Sequence, residues 1–153
     1  MALLSIFAKK ALLPIEETSM IVDAIRLAEK KTSGEVRVYV ESHCRYVDPL
    51  DRAAQVFYSL EMDKTEKRNA VLVYVAVKDQ QLALFADEGI YTKAGKGFWN
   101  AAVKAMLEHF NSRNYGKGIS FVVTEIGDAL QTNFPYDGTT DKNELPDNIV
   151  FGR

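Results

Sequence analysis

Apolar side chains recur at helical spacing in four parts of the chain, and this periodicity predicts four helices. The first prediction begins at Pro14, which suits a first helical turn, and ends at Gly34. The second begins at Asp48-Pro49, a cap residue followed by a first-turn proline. The four predicted helices cover residues 14–34, 48–60, 99–110 and 119–130.

Shorter apolar patterns predict the strands of a sheet. Val36, Val38 and Val40 alternate with more polar residues, which is typical of a half-buried strand. The run AVLVYVAV at 70–77 is apolar on both faces, as expected of a central strand. The polar KDQQ separates it from LALFA at 82–86, which predicts a hairpin. Helices on both sides of a sheet of about four strands predict an α/β fold, specifically a three-layer αβα sandwich.

The chain divides into three predicted parts. Residues 1–13 form an N-terminal segment, 14–134 one globular domain, and 135–153 a polar C-terminal tail that ends in IVFGR, a candidate short edge strand. A chain of 153 residues fits one domain with a substantial core.

Charge, apolar runs and cysteine content limit the classes of protein to which the chain is expected to belong. The net charge of −2 argues against a nucleic-acid-binding protein, which is expected to be basic. No apolar run approaches the roughly 20 residues of a membrane span. The N-terminus lacks a secretory signal pattern, and the single Cys44 cannot form an internal disulfide. We therefore expect a cytoplasmic protein that binds no nucleic acid and has no membrane span.

Acidic residues gather in two predicted loops that follow strands. Asp87 and Glu88 come directly after the third strand, and Asp48 and Asp51 follow the first, with Glu41 and His43 nearby. If these strands run parallel, both loops leave the same edge of the sheet, where α/β folds bind ligands. Carboxylates are hard oxygen ligands that suit calcium or magnesium. The alternative is that Asp48 caps a helix, Asp51 lies in its first turn, and the other two are solvated turn residues.

Other candidate motifs are incomplete. The stretch from Gly89 to Gly97 departs from a phosphate-binding loop, because five residues separate Gly89 from Gly95 and Gly97 stands where serine or threonine would bind magnesium. Lys96 and the amides of the following helix remain a candidate for a passing anion. The spacing of Cys44 and the histidines does not match a zinc site, and no catalytic residue is assigned.

Three longer stretches together resemble one known family. TSGEVRVYVES, KRNAVLVYVAVKDQQLALFADEGI and FNSRNYGKGISFVVTEIGDAL follow one another as in the TPM domain family, over residues 14–134. The ending NELPDNIVFG resembles that of its small stand-alone bacterial members. The pattern as a whole carries the resemblance, which has no single catalytic signature.

The resemblance implies a divalent-metal site where the loop after the first strand crosses the loop after the third. In this chain the implied ligands are Asp87, Glu88, Asp48 and Asp51, with calcium the expected metal and magnesium or another divalent cation as alternatives. Glu41 and His43 are weaker candidates.

Two main functions remain open from the sequence. The first is a calcium-binding, non-catalytic regulatory module in which the metal joins two loops and shapes a surface for an unidentified protein partner. The second is a metal-dependent acid phosphatase acting on phosphate esters, as described for some members of the family, although the chain lacks a C-x5-R loop. A third reading is an interaction domain whose acids bind no metal.

Overall fold

The computed structural model describes residues 12–138 and 149–152. Residues 1–11 of the predicted N-terminal segment 1–13, and residues 139–148 and 153 of the predicted polar tail 135–153, lie outside this range. In chain order the elements are α1 (Ile15–Lys31), β1 (Glu35–Glu41), α2 (Pro49–Ser59), a short 3-10 helix (Met62–Lys64), β2 (Ala70–Ala76), β3 (Gln81–Ala86), α3 (Glu88–Ala94), α4 (Lys96–Asn111), α5 (Tyr115–Asn133) and β4 (Val150–Phe151).

The strands form one mixed sheet in the order β3-β2-β1-β4. β1 runs parallel to β2, with Glu35 opposite Ala70 and Glu41 opposite Ala76, and also parallel to β4. β3 is antiparallel to β2, as the hairpin pattern predicted. All seven residues of β2 are buried, so the prediction of a central strand is confirmed.

Alternation along the strands divides the core between the two faces of the sheet. Val36, Val38 and Val40 of β1 point to the first face, where they join a core with α1, α4 and α5. Leu72 and Tyr74 of β2 point to the second face, where they pack with α2. Helices therefore lie on both faces, and the three-layer αβα sandwich with four strands is confirmed.

The segment between β3 and α4 differs from the prediction of a loop. Residues Glu88–Ala94 form α3, and Asp87 accepts a hydrogen bond from the Glu88 amide as the helix cap. Gly95, with φ of 88°, separates α3 from α4. Among the described helices, none is long and apolar enough to cross a membrane.

Strand direction decides where the two acidic loops lie. The Asp87 amide donates to the Ala70 carbonyl, at the beginning of β2, whereas Glu41 lies opposite Ala76 at its end. β1 and β3 are therefore antiparallel, and the condition of parallel strands that would bring the loops together is not met. Six residue steps of about 3.3 Å put the two edges of the sheet about 20 Å apart.

Candidate functional site

A cavity of about 520 Å³ opens at the carboxyl end of β1. It lies between the loop that follows β1 and the first turns of α2, and its polar lining includes Glu41, His43, Arg45, Arg52 and Gln55. The carboxyl ends of parallel strands are where open α/β sheets bind ligands. This pocket, called the β1 pocket below, is therefore the first candidate for a functional site.

The floor of the β1 pocket is a buried carboxylate with two partners. The Arg52 guanidinium donates to both oxygens of Glu41, at 2.9 and 3.0 Å, and the Tyr74 hydroxyl donates to Oε2. Burial and then the hydrogen bond to Glu41 raise the pKa of Tyr74 above its usual value. The hydrogen bond to Glu41 likewise raises the pKa of Arg52. Arg52 balances the charge of Glu41, and the two donors occupy both carboxylate oxygens, so Glu41 is not a free ligand.

His43 is oriented by a carboxylate from another loop. Its Nδ1 lies 2.8 Å from Oδ1 of Asp79, in the turn between β2 and β3, and the Cys44 amide donates to Oδ2 of Asp79 at 2.7 Å. The hydrogen bond from His43 and then that from Cys44 hold the pKa of Asp79 below its usual value. The arrangement fixes the imidazole at the rim of the β1 pocket.

Asp48 and Asp51 form a pair of touching carboxyl groups at the start of α2. Asp48 caps this helix, because its Oδ1 accepts from the amides of Leu50 and Asp51 at 2.9 and 3.1 Å. The Asp51 amide and then the Asp51 carboxyl lower the pKa of Asp48, while the hydrogen bond and the charge of Asp48 raise the pKa of Asp51. Both residues are exposed, so the pair is accessible to a cation in solution.

Asp87 and Glu88 have an arginine as their partner. Asp87 is 3% exposed and accepts from Nε and Nη2 of Arg68 at 2.7 and 2.9 Å. Glu88 Oε1 lies 3.4 Å from Nη1 of the same guanidinium. The hydrogen bond to Asp87 raises the pKa of Arg68. Both oxygens of Asp87 are therefore already in contact with a cation supplied by the chain itself.

The four predicted metal ligands thus fall into two separate pairs. The structure brings Asp48 and Asp51 together, and it places Asp87 and Glu88 beside Arg68 at the opposite edge of the sheet. Within residues 12–138 and 149–152, no group of three or more histidine, cysteine, aspartate or glutamate residues is arranged to hold a metal ion. A cation could be held here by the Asp48-Asp51 pair only if other oxygens completed its coordination.

Four residues that pair with the predicted acids and with His43 were not singled out from the sequence: Arg52, Arg68, Tyr74 and Asp79. A usable signal existed for Arg68, because a hairpin puts the residue before its first strand near the residue after its second. Arg68 precedes β2 by two positions and Asp87 follows β3 directly. For Arg52 and Asp79 we find no comparable signal, since their contacts depend on how separate loops pack.

Comparisons with known proteins agree with this architecture. Residues 6–129 match the family model described as TPM domain. The NMR structure of BA42 protein from the psychrophilic bacterium Bizionia argentinensis has a TM-score of 0.83 and 41% sequence identity, covering 92% of this chain and 95% of that one. The N-terminal domain of cg2496 protein from Corynebacterium glutamicum has a TM-score of 0.62 at 14% identity, covering 77% and 74%, and shows likeness of fold alone. No curated protein matches the chain.

Proposed function

Because the chain belongs to the TPM domain family, we propose that it is a divalent-cation-binding module whose calcium site lies at the start of α2. The observation that carries the proposal is the contact between the carboxyl groups of Asp48 and Asp51. Two like charges in contact repel each other unless a proton or a cation lies between them. The hydrogen bond with Asp48 and the charge of Asp48 raise the pKa of Asp51, as expected of such a pair.

Calcium suits this pair by its chemistry. It takes about 6–8 oxygen ligands in flexible geometry, so two carboxylates would be completed by water and loop carbonyls. A site with few charged protein ligands binds calcium weakly, and we expect a dissociation constant on the order of 10⁻⁴–10⁻³ M. Asp87 and Glu88 are not part of the proposed site, because Arg68 already supplies the positive charge beside them.

The proposed role is binding rather than catalysis. Calcium at Asp48 and Asp51 would hold the first turn of α2 next to the loop after β1, and so shape the mouth of the β1 pocket. In the pocket floor, Glu41, Arg52 and Tyr74 already satisfy one another, which removes the buried carboxylate as a general base. The module would then present a calcium-dependent surface to a protein partner.

One observation favours a second candidate function, a metal-dependent phosphatase. His43 is oriented by Asp79 at the rim of a pocket that Arg45 also lines, and an imidazole held by a carboxylate is a common general acid or base. Steady hydrolysis of p-nitrophenyl phosphate with calcium or magnesium, lost in His43→Gln, would favour this activity over the binding role.

The calcium site is tested by melting curves with calcium and with chelator. At free calcium about 100 times the dissociation constant, one site adds about 2.7 kcal/mol to the free energy of unfolding. For a domain of this size the midpoint should rise by roughly 5–10 °C. Asp51→Asn should lose most of this rise, because it removes one charge at nearly constant size. Asp23→Asn, an exposed residue of α1, is the matched control and should respond like wild type.

Protons should compete with calcium for the same pair. The calcium-induced rise of the melting midpoint is expected to shrink as the pH falls toward about 4, near the ordinary aspartate pKa. Because the pKa of Asp51 is raised, this carboxylate should be protonated first and the loss should begin above that pH. A wild-type midpoint that calcium leaves unmoved would refute the proposal. A calcium response that survives in Asp51→Asn and disappears in Asp87→Asn would move the site to the other pair of acids.

A further inference from the structure

A groove of about 440 Å³ runs along one flank of α1. It lies between this helix and Phe151 of β4, which pairs in register with Val40 and so belongs to the first face of the sheet. α5 packs along the other flank of α1, and in the part of the chain that the structure describes no second helix packs closely along this one. The groove, called the α1 groove below, is therefore an open side of the first helical layer.

The lining of the α1 groove includes apolar side chains that the described residues do not fully cover. The lining residues of α1 recur every three or four positions from Ile15 to Arg26, so they form one stripe along the helix. Ile15 is 76% exposed, and Val22 and Phe151 are half-buried. Covering apolar surface of this kind with another apolar group is favourable because it removes that surface from water.

The chain enters α1 beside this groove. Leu12 packs against the first core, and Leu13, which is 1% exposed, lines the α1 groove itself. The preceding residues 1–11 are therefore attached at one end of the groove. The stripe from Ile15 to Arg26 is about 16 Å long at about 1.5 Å per residue. Eleven residues span about the same length as a helix and more when extended, so this segment is long enough to cover the groove in either form.

The composition of residues 1–11 suits the groove. The segment reads MALLSIFAKKA, and its large apolar side chains include Leu3, Leu4, Ile6 and Phe7. Its two lysines come shortly before Leu13, at the end of the groove where Glu16 is an exposed carboxylate in the first turn of α1. The tail segment 139–148 reads TTDKNELPDN and has only one large apolar side chain, so it is the poorer match for an apolar groove.

We propose that residues 1–11 bind in the α1 groove of their own chain, where their apolar side chains cover Ile15, Val22 and Phe151. Attachment through Leu12 gives the segment an effective concentration on the order of mM at the groove. This advantage favours it over a second copy of the chain or a separate partner at lower concentration. The inference concerns a different surface from the calcium site and does not depend on it.

The test is paramagnetic broadening of the amide resonances of the isotopically labelled 153-residue chain. Ser5→Cys carries a nitroxide, in a Cys44→Ser background because Cys44 is the only cysteine. The amides of residues 15–26 and 150–152 should lose most of their signal relative to the same chain with the nitroxide reduced. Ser59→Cys, an exposed position of α2 on the second face, is the matched control, and its nitroxide should leave residues 15–26 sharp.

A pair of variants at Phe7 shows whether apolar contact holds the segment in the groove. Phe7→Asp should remove the broadening from the Ser5→Cys nitroxide, whereas Phe7→Leu, which stays apolar, should keep it. Residue 7 precedes the described residues, so the amide spectrum away from the groove should remain that of the folded chain.

Three results would overturn the proposal. The first is a Ser5→Cys nitroxide that leaves residues 15–26 sharp or broadens a different surface. The second is broadening that survives unchanged in Phe7→Asp. The third comes from a mixture of nitroxide-carrying chain without isotopes and isotopically labelled chain without nitroxide. Broadening of the groove in this mixture would identify a second copy as the occupant.

Discussion

Gly89→Ala tests how α3 is fixed to the loop that precedes β2. The Gly89 amide donates to the Arg68 carbonyl at 2.8 Å. A methyl group at Gly89 would lie 2.3 Å from the Lys67 carbonyl oxygen and 2.4 Å from that of Arg68. These are backbone atoms, and the Arg68 side chain is tied to Asp87 by two hydrogen bonds. The loop cannot make room by changing a rotamer, so α3 itself must move away.

The expected cost follows from three contributions. Forcing an extra methyl group into a packed site costs typically about 1–3 kcal/mol, and the immobile backbone argues for the upper half of that range. Weakening the hydrogen bond from Gly89 to Arg68 adds about 0.5–1.5 kcal/mol. The higher helix propensity of alanine offsets about 1 kcal/mol of this destabilisation. The free energy of unfolding should therefore fall by about 2–3 kcal/mol, and the melting midpoint by roughly 5–10 °C.

Two other glycines of the same region provide matched controls. A methyl group at Gly97 meets no atom within 4 Å, and the residue lies in the first turn of α4, so Gly97→Ala should stabilise by about 0.5–1 kcal/mol. Gly95 also faces open space, but its φ of 88° and ψ of 147° favour glycine, so alanine there should cost about 1–3 kcal/mol. The measurement is urea unfolding followed by circular dichroism. If Gly89→Ala proves as stable as Gly97→Ala, the close approach of α3 to the loop is not a feature of the folded protein.

Two further predictions address the centre of the sheet. Amide exchange should be slowest from Val71 to Val75, because these residues are buried and β2 is paired on both sides; fast exchange there would contradict the three-layer arrangement. Tyr74 should remain protonated when exposed tyrosines ionise near about pH 10, since burial and the hydrogen bond to Glu41 raise its pKa. Its contribution to stability is present below the unfolded pKa of about 10 and is lost as the pH rises toward its higher folded value. An ultraviolet absorbance titration of wild type and Tyr74→Phe checks this: the two curves should coincide near about pH 10, and one additional tyrosine ionising there in wild type would argue against a raised pKa.

The sequence was sufficient for the fold because its patterns agreed with one another. Alternation in β1 and the continuous apolar run of β2 each require burial on particular faces, and the helical periodicities supply the layers that bury them. The short α3 was missed because Asp87 and Gly89 are common in turns as well as at helix starts. A helix of seven residues has too few turns to show a clear apolar period.

Contacts close in sequence were predictable, and contacts between loops were not. The cap by Asp48 involves amides two and three residues away, and the cap-and-proline pattern predicts it. The partners of Glu41, His43 and Asp87 come from other elements, so their identity depends on packing that periodicity does not describe. The metal role assigned to Asp87 and Glu88 stays a prediction, now with Arg68 as the group that a cation would have to replace.

Strand direction places the two acidic pairs at opposite edges of the sheet, where they have different partners. A helix between two adjacent strands makes β1 and β2 parallel, and a short hairpin makes β3 antiparallel to β2, so the loops after β1 and after β3 must leave opposite edges. Arg68 precedes β2 and Asp87 follows β3, so both lie at the edge of the sheet where β2 begins. There the guanidinium of Arg68 pairs with the carboxylate of Asp87. At the carboxyl end Asp79 pairs with His43 and Arg52 with Glu41, and Asp48 and Asp51 contact each other instead of an arginine. Among the described residues no ion pair joins Asp48 or Asp51 to a basic side chain, and this is the physical reason to look for a cation there.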